Sequence, residues 1–187
     1  MQLPPEAKLV YKGIIFDFYQ WQQKMFDGSY QTFERLKRPD TVQVIVIDGD
    51  TILLCEDEQP DRGVRMAFIG GRIDQGEQPL DAAKRELLEE TGIVADEWTH
   101  YKTYAPVTKI DWQLHYFIAK HSRKVKEQHL DAGGERINVK SVSFDAFIEI
   151  TSRADFDAGE FTADMLRMQL DPVKLEEFKK LLFTHLH

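Results

Sequence analysis

Gly71-Arg-Ile-Asp-Gln-Gly-Glu77, then seven residues, then Arg85-Glu-Leu-Leu-Glu-Glu-Thr-Gly-Ile93 is the most informative stretch of this chain. Gln78-Pro79 puts a proline in a first helical turn, where its missing N–H costs nothing, and Asp81 adds negative charge at the positive end of the helix dipole. Residues 80–91 are good helix formers, and Gly92 stands where a left-handed cap belongs. The spacing therefore predicts a glycine-bearing loop followed by one well-bounded helix. At about 100° per residue, Glu89 lies about 60° to one side of Glu86 and Glu90 about 40° to the other. Three carboxylates thus share one face. Ala82 and Ala83 occupy the same arc one turn earlier, which reads as an unshielded approach to them, while Leu80, Leu87 and Leu88 point elsewhere and anchor the helix. Like charges at i, i+4 repel. Divalent cations resolve that conflict, because hard oxygen ligands at this spacing suit Mg²⁺ or Mn²⁺. The plain alternative is a solvated charged face, which is common on helices.

Outward from this helix, strands dominate. Gly13–Gln23 and Tyr30–Arg38 flank an Asp27-Gly28 turn, and Val42–Ile47 and Thr51–Cys55 flank Asp48-Gly49-Asp50. Gly63–Ile69, Trp98–Tyr104, Trp112–Ala119 and Ile137–Phe144 read as further strands. Phe144–Thr151, Phe161–Gln169 and Pro172–Phe183 read as helices. This is a mixed α/β (α+β) pattern, without the strict strand–helix alternation of a doubly wound sheet.

Composition narrows the function classes. Of 187 residues, 24 are Lys or Arg and 32 Asp or Glu, a formal charge of −8. That balance opposes general binding to nucleic acid or an anionic membrane. One cysteine, Cys55, fits a reducing compartment. It reads as a buried structural thiol. There is no signal-peptide pattern and no apolar run of membrane-spanning length, so the expectation is a soluble, cytoplasmic protein. The six histidines lack zinc-ligand spacing.

The pattern formed by Gly71, Glu77, Arg85, Glu86, Leu87, Glu89, Glu90, Gly92 and Ile93 fits G-x5-E-x7-R-E-U-x-E-E-x-G-U at every defined position. In this the chain resembles the Nudix hydrolase family. The resemblance implies an α/β/α sandwich with a mixed central sheet, and Mg²⁺- or Mn²⁺-dependent cleavage of a nucleoside diphosphate linked to another group. Carried over, Glu86, Glu89 and Glu90 are the expected metal ligands, with the Gly71 carbonyl as a further one. Glu77 and Arg85 are expected to hold the site in shape, with Glu77 assisting a metal. The flanking segments resemble the ADP-ribose and nucleotide-sugar pyrophosphatase branch. That implies a strand extension over 1–40 that pairs across a homodimer, a hydrolase core over 41–155, and C-terminal helices over 156–187 packed on the core. It also implies base stacking by Tyr19, Trp21 and Phe26 and phosphate contacts from Arg35 or Arg38, although aromatics at such positions also serve as packing. The late acidic loop contributes Glu135 as a candidate base or extra metal ligand, and the base is one of Glu135, Glu89 and Glu90. The segment Tyr104-Ala-Pro-Val-Thr-Lys-Ile-Asp111-Trp112 departs from the branch where it touches the terminal sugar. The expected substrate is therefore a small nucleoside diphosphate sugar, ADP-ribose or another. Nucleoside triphosphates, dinucleoside polyphosphates and RNA 5′ ends are the alternative substrates of the same chemistry, and a nucleotide-sensing module without catalysis is the alternative from another class.

Overall fold

The computed structural model describes residues 2–60, 62–128, 136–156 and 158–184. In chain order the elements are β1 (Lys8–Lys12), β2 (Asp17–Lys24), β3 (Tyr30–Lys37), β4 (Thr41–Asp48), β5 (Thr51–Gln59), β6 (Arg62–Ala67), α1 (Pro79–Thr91), β7 (Ile93–Tyr104), β8 (Ile110–Asp111), β9 (Leu114–Lys124), β10 (Arg136–Val142), α2 (Phe144–Thr151), α3 (Gly159–Gln169) and α4 (Pro172–Phe183). They form two sheets. One is four-stranded in the order β1-β2-β3-β8; the other runs β10-β5-β4-β9-β7, with β6 also on β5. The β4–β9 pair is parallel and the remaining pairs of the larger sheet are antiparallel.

Both faces of the larger sheet are buried, and the period-2 alternation of its central strands sorts the core into two layers. Val42, Val44 and Val46 of β4 and Phe117 and Ala119 of β9 face Ala82, Ala83 and Leu87 of α1. The intervening Ile45, Ile47, Tyr116 and Ile118 face Phe147, Phe161, Met165 and Phe178 on α2–α4. Phe68 sits at the centre of that second layer, with Tyr116, Phe156 and Phe161 edge-on to it at 5.5, 5.1 and 4.9 Å. The result is the mixed α/β/α arrangement anticipated from the chain.

One local irregularity positions everything that follows. The β4–β5 pairing covers only Asp48↔Thr51 to Val46↔Leu53. Beyond it the two strands splay, and β6 pairs with β5 over Cys55 to Gln59. The chain leaving β6 then crosses to β4: Val44 N–H donates to the Ile69 carbonyl at 2.8 Å, and Val42 N–H to the Gly71 carbonyl at 2.9 Å. Gly70 and Gly71 are thereby pressed against β4. A Cβ at Gly70, whose φ is 153°, would collide with the Val42 carbonyl.

Several expectations need correction. β1 and β8 carry no alternation that marks them in sequence; β1 is exposed throughout and β8 is two residues paired in parallel with β3. Residues 13–16 do not join β2. β6 starts at Arg62 and ends at Ala67, β7 starts at Ile93, and β9 starts after Trp112. Ala82 and Ala83 do not open the carboxylate face to solvent. They are fully buried, and their small size lets α1 lie close on β4. Among the described residues, no helix is long and apolar enough to cross a membrane.

The α3 helix is tied to β7 by one carboxylate. Asp164 accepts from Lys102, from the Tyr104 hydroxyl at 2.7 Å and from Arg167 at 2.9 Å. Burial works against its charge, yet these three donors outweigh burial and hold the carboxyl below the ordinary aspartate range. Asp164→Asn is expected to cost about 1–3 kcal/mol at neutral pH in denaturant melts. The stabilisation from a depressed folded-state pKa is present above the unfolded value of about 3.9 and lost as pH falls through the lower folded one. The difference between wild type and variant should therefore close below that window.

Candidate active site

The α1 helix begins at Pro79 after an extended Gln78 and ends at Gly92, with φ 70° and its N–H on the Leu88 carbonyl. A Cβ at Gly92 would run into the Lys126 carbonyl, and the Gly92 carbonyl accepts from Val125 at 2.8 Å, so the helix end is locked to the β9 exit. With Ala82, Ala83 and Leu87 against the sheet, the same face carries Glu86 and Glu90 inward on successive turns, toward Gly70 and Gly71. Gly70 N–H donates to Glu90 Oε2 at 3.0 Å. A Cβ on Gly71 would lie 2.5 Å from Glu86 Oε1. The glycine doublet therefore leaves the space that the glutamates fill.

Arg85 gathers the carboxylates. Its Nε and Nη2 donate to the two oxygens of Glu77, both at 3.0 Å; its Nη1 donates to Glu86 Oε1 at 2.9 Å and Glu89 Oε2 at 3.1 Å. Nη2 also holds the Arg72 carbonyl at 2.9 Å, and Glu77 accepts from the Asp74 N–H at 3.0 Å. The loop 72–77 is thus pinned to the helix by one guanidinium. The hydrogen bond to Glu77 leads the effects that raise the Arg85 pKa, and the same bond holds Glu77 below the usual carboxylate range. Burial pushes Glu86 the other way, to a raised pKa, despite its bond to Arg85. Glu86 and Glu77 side chains are 14% and 17% exposed, against 46% for Glu89. Glu89 is the member of the group that faces solvent.

Among the described residues, no three His, Cys, Asp or Glu side chains converge tightly enough to enclose a cation in this arrangement. The donor set still fits a hard divalent ion. It is all oxygen, Glu86 fills the cradle beside Gly71, and Arg85 is anchored on Glu77 and Arg72 by bonds that do not involve Glu86 or Glu89. The Gly71 carbonyl accepts from Val42 and retains a second lone pair.

The remaining sequence-derived candidates are spread over the smaller sheet. Tyr19 and Arg35 are register partners on β2 and β3, as are Trp21 and Phe33. Trp21 is buried; its ring lies 5.9 Å from Phe33, the Arg35 guanidinium covers it at 5.5 Å, and its Nε1 donates to Gln23. Arg35 also donates to the Gln2 carbonyl at 2.8 Å. Phe26 is fully exposed in the β2–β3 turn. Arg38 lies beside the loop of the site, because the residues that follow it dock there: Ile73 N–H donates to the Asp40 carbonyl at 2.8 Å and Thr41 pairs with Arg72. Arg38 also walls a cavity of about 350 Å³ together with Lys37, Asp40, Asp111 and Gln113. Glu135, the candidate from the acidic loop, lies outside the described residues. Sequence reading missed Gly70, whose N–H fixes Glu90; the signal was the glycine doublet itself, of which only the second member belongs to the motif.

The NUDIX domain profile matches residues 37–165. The chain is 27% identical over 153 residues to the ADP-ribose pyrophosphatase of Bacillus subtilis (strain 168), covering 80% of this chain and 83% of that protein. It is 31% identical over 97 residues to the ADP compounds hydrolase NudE of Escherichia coli (strain K12), covering 50% and 49%. An RNA pyrophosphohydrolase of Bartonella henselae is 42% identical over 60 residues, 28% of this chain and 35% of that one. A crystal structure of an ADP compounds hydrolase superposes with a TM-score of 0.67 at 20% identity, covering 90% of this chain and 94% of that one.

Because Arg85 joins three carboxylates and a carbonyl through a planar fork, lysine cannot replace it geometrically. In metal-free buffer, Arg85→Lys should lose about 2 kcal/mol, seen as a thermal midpoint about 4–8 °C lower. An unchanged midpoint would mean that Arg85 does not hold the loop.

Proposed function

The chain belongs to the Nudix family and is a pyrophosphohydrolase, and from that premise we propose that it cleaves the diphosphate bond of a nucleoside diphosphate sugar, with ADP-ribose as the first substrate to test. The products are a nucleoside monophosphate and a sugar phosphate. The observation that carries this reading is the convergence of Glu86 and Glu90 on the Gly70-Gly71 backbone, with Glu89 beside them and Arg85 bridging to Glu77. The names of the B. subtilis and E. coli relatives support the substrate class.

In this reading Glu86, Glu89, Glu90 and the Gly71 carbonyl hold Mg²⁺ or Mn²⁺, and Glu77 keeps Arg85 in place. A divalent ion held there offsets the charge of a diphosphate and makes water a better nucleophile. The protein's own contribution is positioning. The β4 contacts fix Gly71, the α1 packing fixes Glu86 and Glu90, and the solvent-facing Glu89 stands where water has access. The proton of the attacking water passes to one of Glu89, Glu90 and Glu135. Arg38, at the edge of the loop, contacts phosphate. Arg35 is the alternative phosphate contact, and Tyr19, Trp21 and Phe26, on the smaller sheet and its turn, stack on the base across a dimer built on the 1–40 extension. In support of that assembly, the smaller sheet and its turns expose Leu9, Val10, Tyr11, Ile14, Phe26 and Tyr30.

With Mg²⁺ present, Glu89→Gln and Glu90→Gln should each lower kcat on ADP-ribose by at least about 100-fold while circular dichroism stays native. Near-normal turnover in either folded variant refutes the ligand assignment. A panel of ADP-ribose, UDP- and GDP-sugars, dinucleoside polyphosphates and triphosphates identifies the preferred class. Sedimentation at micromolar concentration should find a dimer, and a monomer would refute the role given to the N-terminal strands.

A further inference from the structure

A break in the β7–β9 ladder gathers two imidazoles. On a regular strand, residues three apart face opposite sides. The register of β7 on β9 slips between His100 and Lys102, and the extra residue turns His100 and Thr103 to the same side. His100 stands opposite Phe117 and Thr103 opposite His115, so all four share the face of the sheet on which Phe117 joins the α1 layer of the core. The Thr103 hydroxyl lies 2.9 Å from His100 Nε2 and 3.0 Å from His115 Nδ1. The two ring centroids are 6.2 Å apart, and the His100 ring meets Phe117 edge-on at 5.3 Å.

A hydroxyl carries one proton, so Thr103 donates to one of these nitrogens and accepts from the other. Two imidazole nitrogens from neighbouring strands are thereby aimed at one point. Burial lowers the proton affinity of His115; the Asp40 carboxylate opposes that shift, and the charge of His100 adds to it. The neutral ring, the form that ligates a metal, is favoured as a result. Asp40 also places negative charge near the pair, while its carboxylate accepts from Gln113 N–H at 2.7 Å. Imidazole suits Zn²⁺, Ni²⁺ or Cu²⁺, whereas the carboxylates of α1 suit Mg²⁺ or Mn²⁺. Imidazole nitrogen binds Zn²⁺ at about 2.0–2.1 Å, closer than a bridging hydroxyl holds it. His100 is exposed and His115 half-buried, so the His100 ring is the one free to move inward. Among the described residues, no third His, Cys, Asp or Glu closes around the pair. Water therefore completes the coordination, and the ion exchanges with solvent.

We propose that His100 and His115 form a second cation site, separate from the glutamate group of α1, which takes a nitrogen-preferring divalent ion of the Zn²⁺, Ni²⁺ or Cu²⁺ type. The site shares no ligand with Glu86, Glu89 and Glu90. It does lie beside the strand that seats their loop, since His115 is the register partner of Val42, whose N–H holds the Gly71 carbonyl.

The test uses the full-length protein without an affinity tag, in excess Mg²⁺ so that hard oxygen sites are filled. Calorimetric titration with Zn²⁺ should find a binding event in wild type that weakens at least about tenfold in His100→Ala and in His115→Ala, and stays unchanged in His121→Ala, a β9 histidine outside the pair. His100→Gln and His115→Gln, which keep more of the side-chain volume, should weaken it equally and serve where an alanine variant does not fold. Loaded with Cu²⁺, wild type should give an electron paramagnetic resonance spectrum split by two imidazole nitrogens, and each single variant a spectrum with one fewer. Equal Zn²⁺ affinity in wild type and in the folded histidine variants overturns the site, as does a copper spectrum with oxygen ligands alone. Neither readout depends on turnover, so a failure of the hydrolase reading leaves this result standing, and the reverse holds as well.

Discussion

A single guanidinium makes the acidic helix compatible with a folded protein. Glu77, Glu86 and Glu89 would repel one another in the partly dry space between α1 and its loop, and burial alone already raises the Glu86 pKa. Arg85 meets all three with four hydrogen bonds and uses its remaining donor capacity on the Arg72 carbonyl. Taking away one partner from such a cluster leaves uncompensated charge in a low-dielectric setting, which is why the cluster behaves as a unit. Loop, helix and carboxylates are therefore one object rather than three.

That object sits where it does because the larger sheet is imperfect. The splaying of β4 from β5 after Val46↔Leu53 opens a gap into which the 68–72 segment fits, and only glycine tolerates the approach to Val42 at position 70. The α1 side of the sheet uses valine and alanine to keep the helix close, while the opposite side is filled with phenylalanine and tyrosine. The thin layer brings Glu90 onto the Gly70 N–H and seats Glu86 against Gly71. The thick layer, centred on Phe68, supplies most of the apolar burial and holds the strand that delivers the glycines.

Much of this was legible in the chain. The boundaries of α1 follow from Pro79 and Gly92, the two hairpin turns from Asp27-Gly28 and Asp48-Gly49-Asp50, and the last helix from Asp171-Pro172, where the Asp171 side chain does cap the Lys174 N–H. Each of these signals is local, since a proline, a left-handed glycine or a capping carboxylate acts within a few residues. β1 and β8 escaped for the opposite reason: one has no buried face, and the other exists only through pairing with a strand more than seventy residues earlier. Ala82 and Ala83 were assigned to the correct face with the wrong neighbour, because helical periodicity says which residues lie together and not what they lie against. The dense arginine bridging was also invisible, since it needs Glu77 folded back onto the helix.

By itself the sequence determined the composition of the reactive group: which carboxylates share a helix face, which glycines punctuate them, and that oxygen donors in this pattern belong to a Nudix hydrolase. Those are matters of chain spacing and residue chemistry, and they survive any arrangement of the rest. Tertiary structure alone decided which backbone the carboxylates meet, that Arg85 binds three of them at once, and that Arg38 stacks on Trp112 beside the loop. Those contacts join residues far apart along the chain, and their geometry is set by the meeting of β4 with the 68–72 segment, for which no short-range pattern exists.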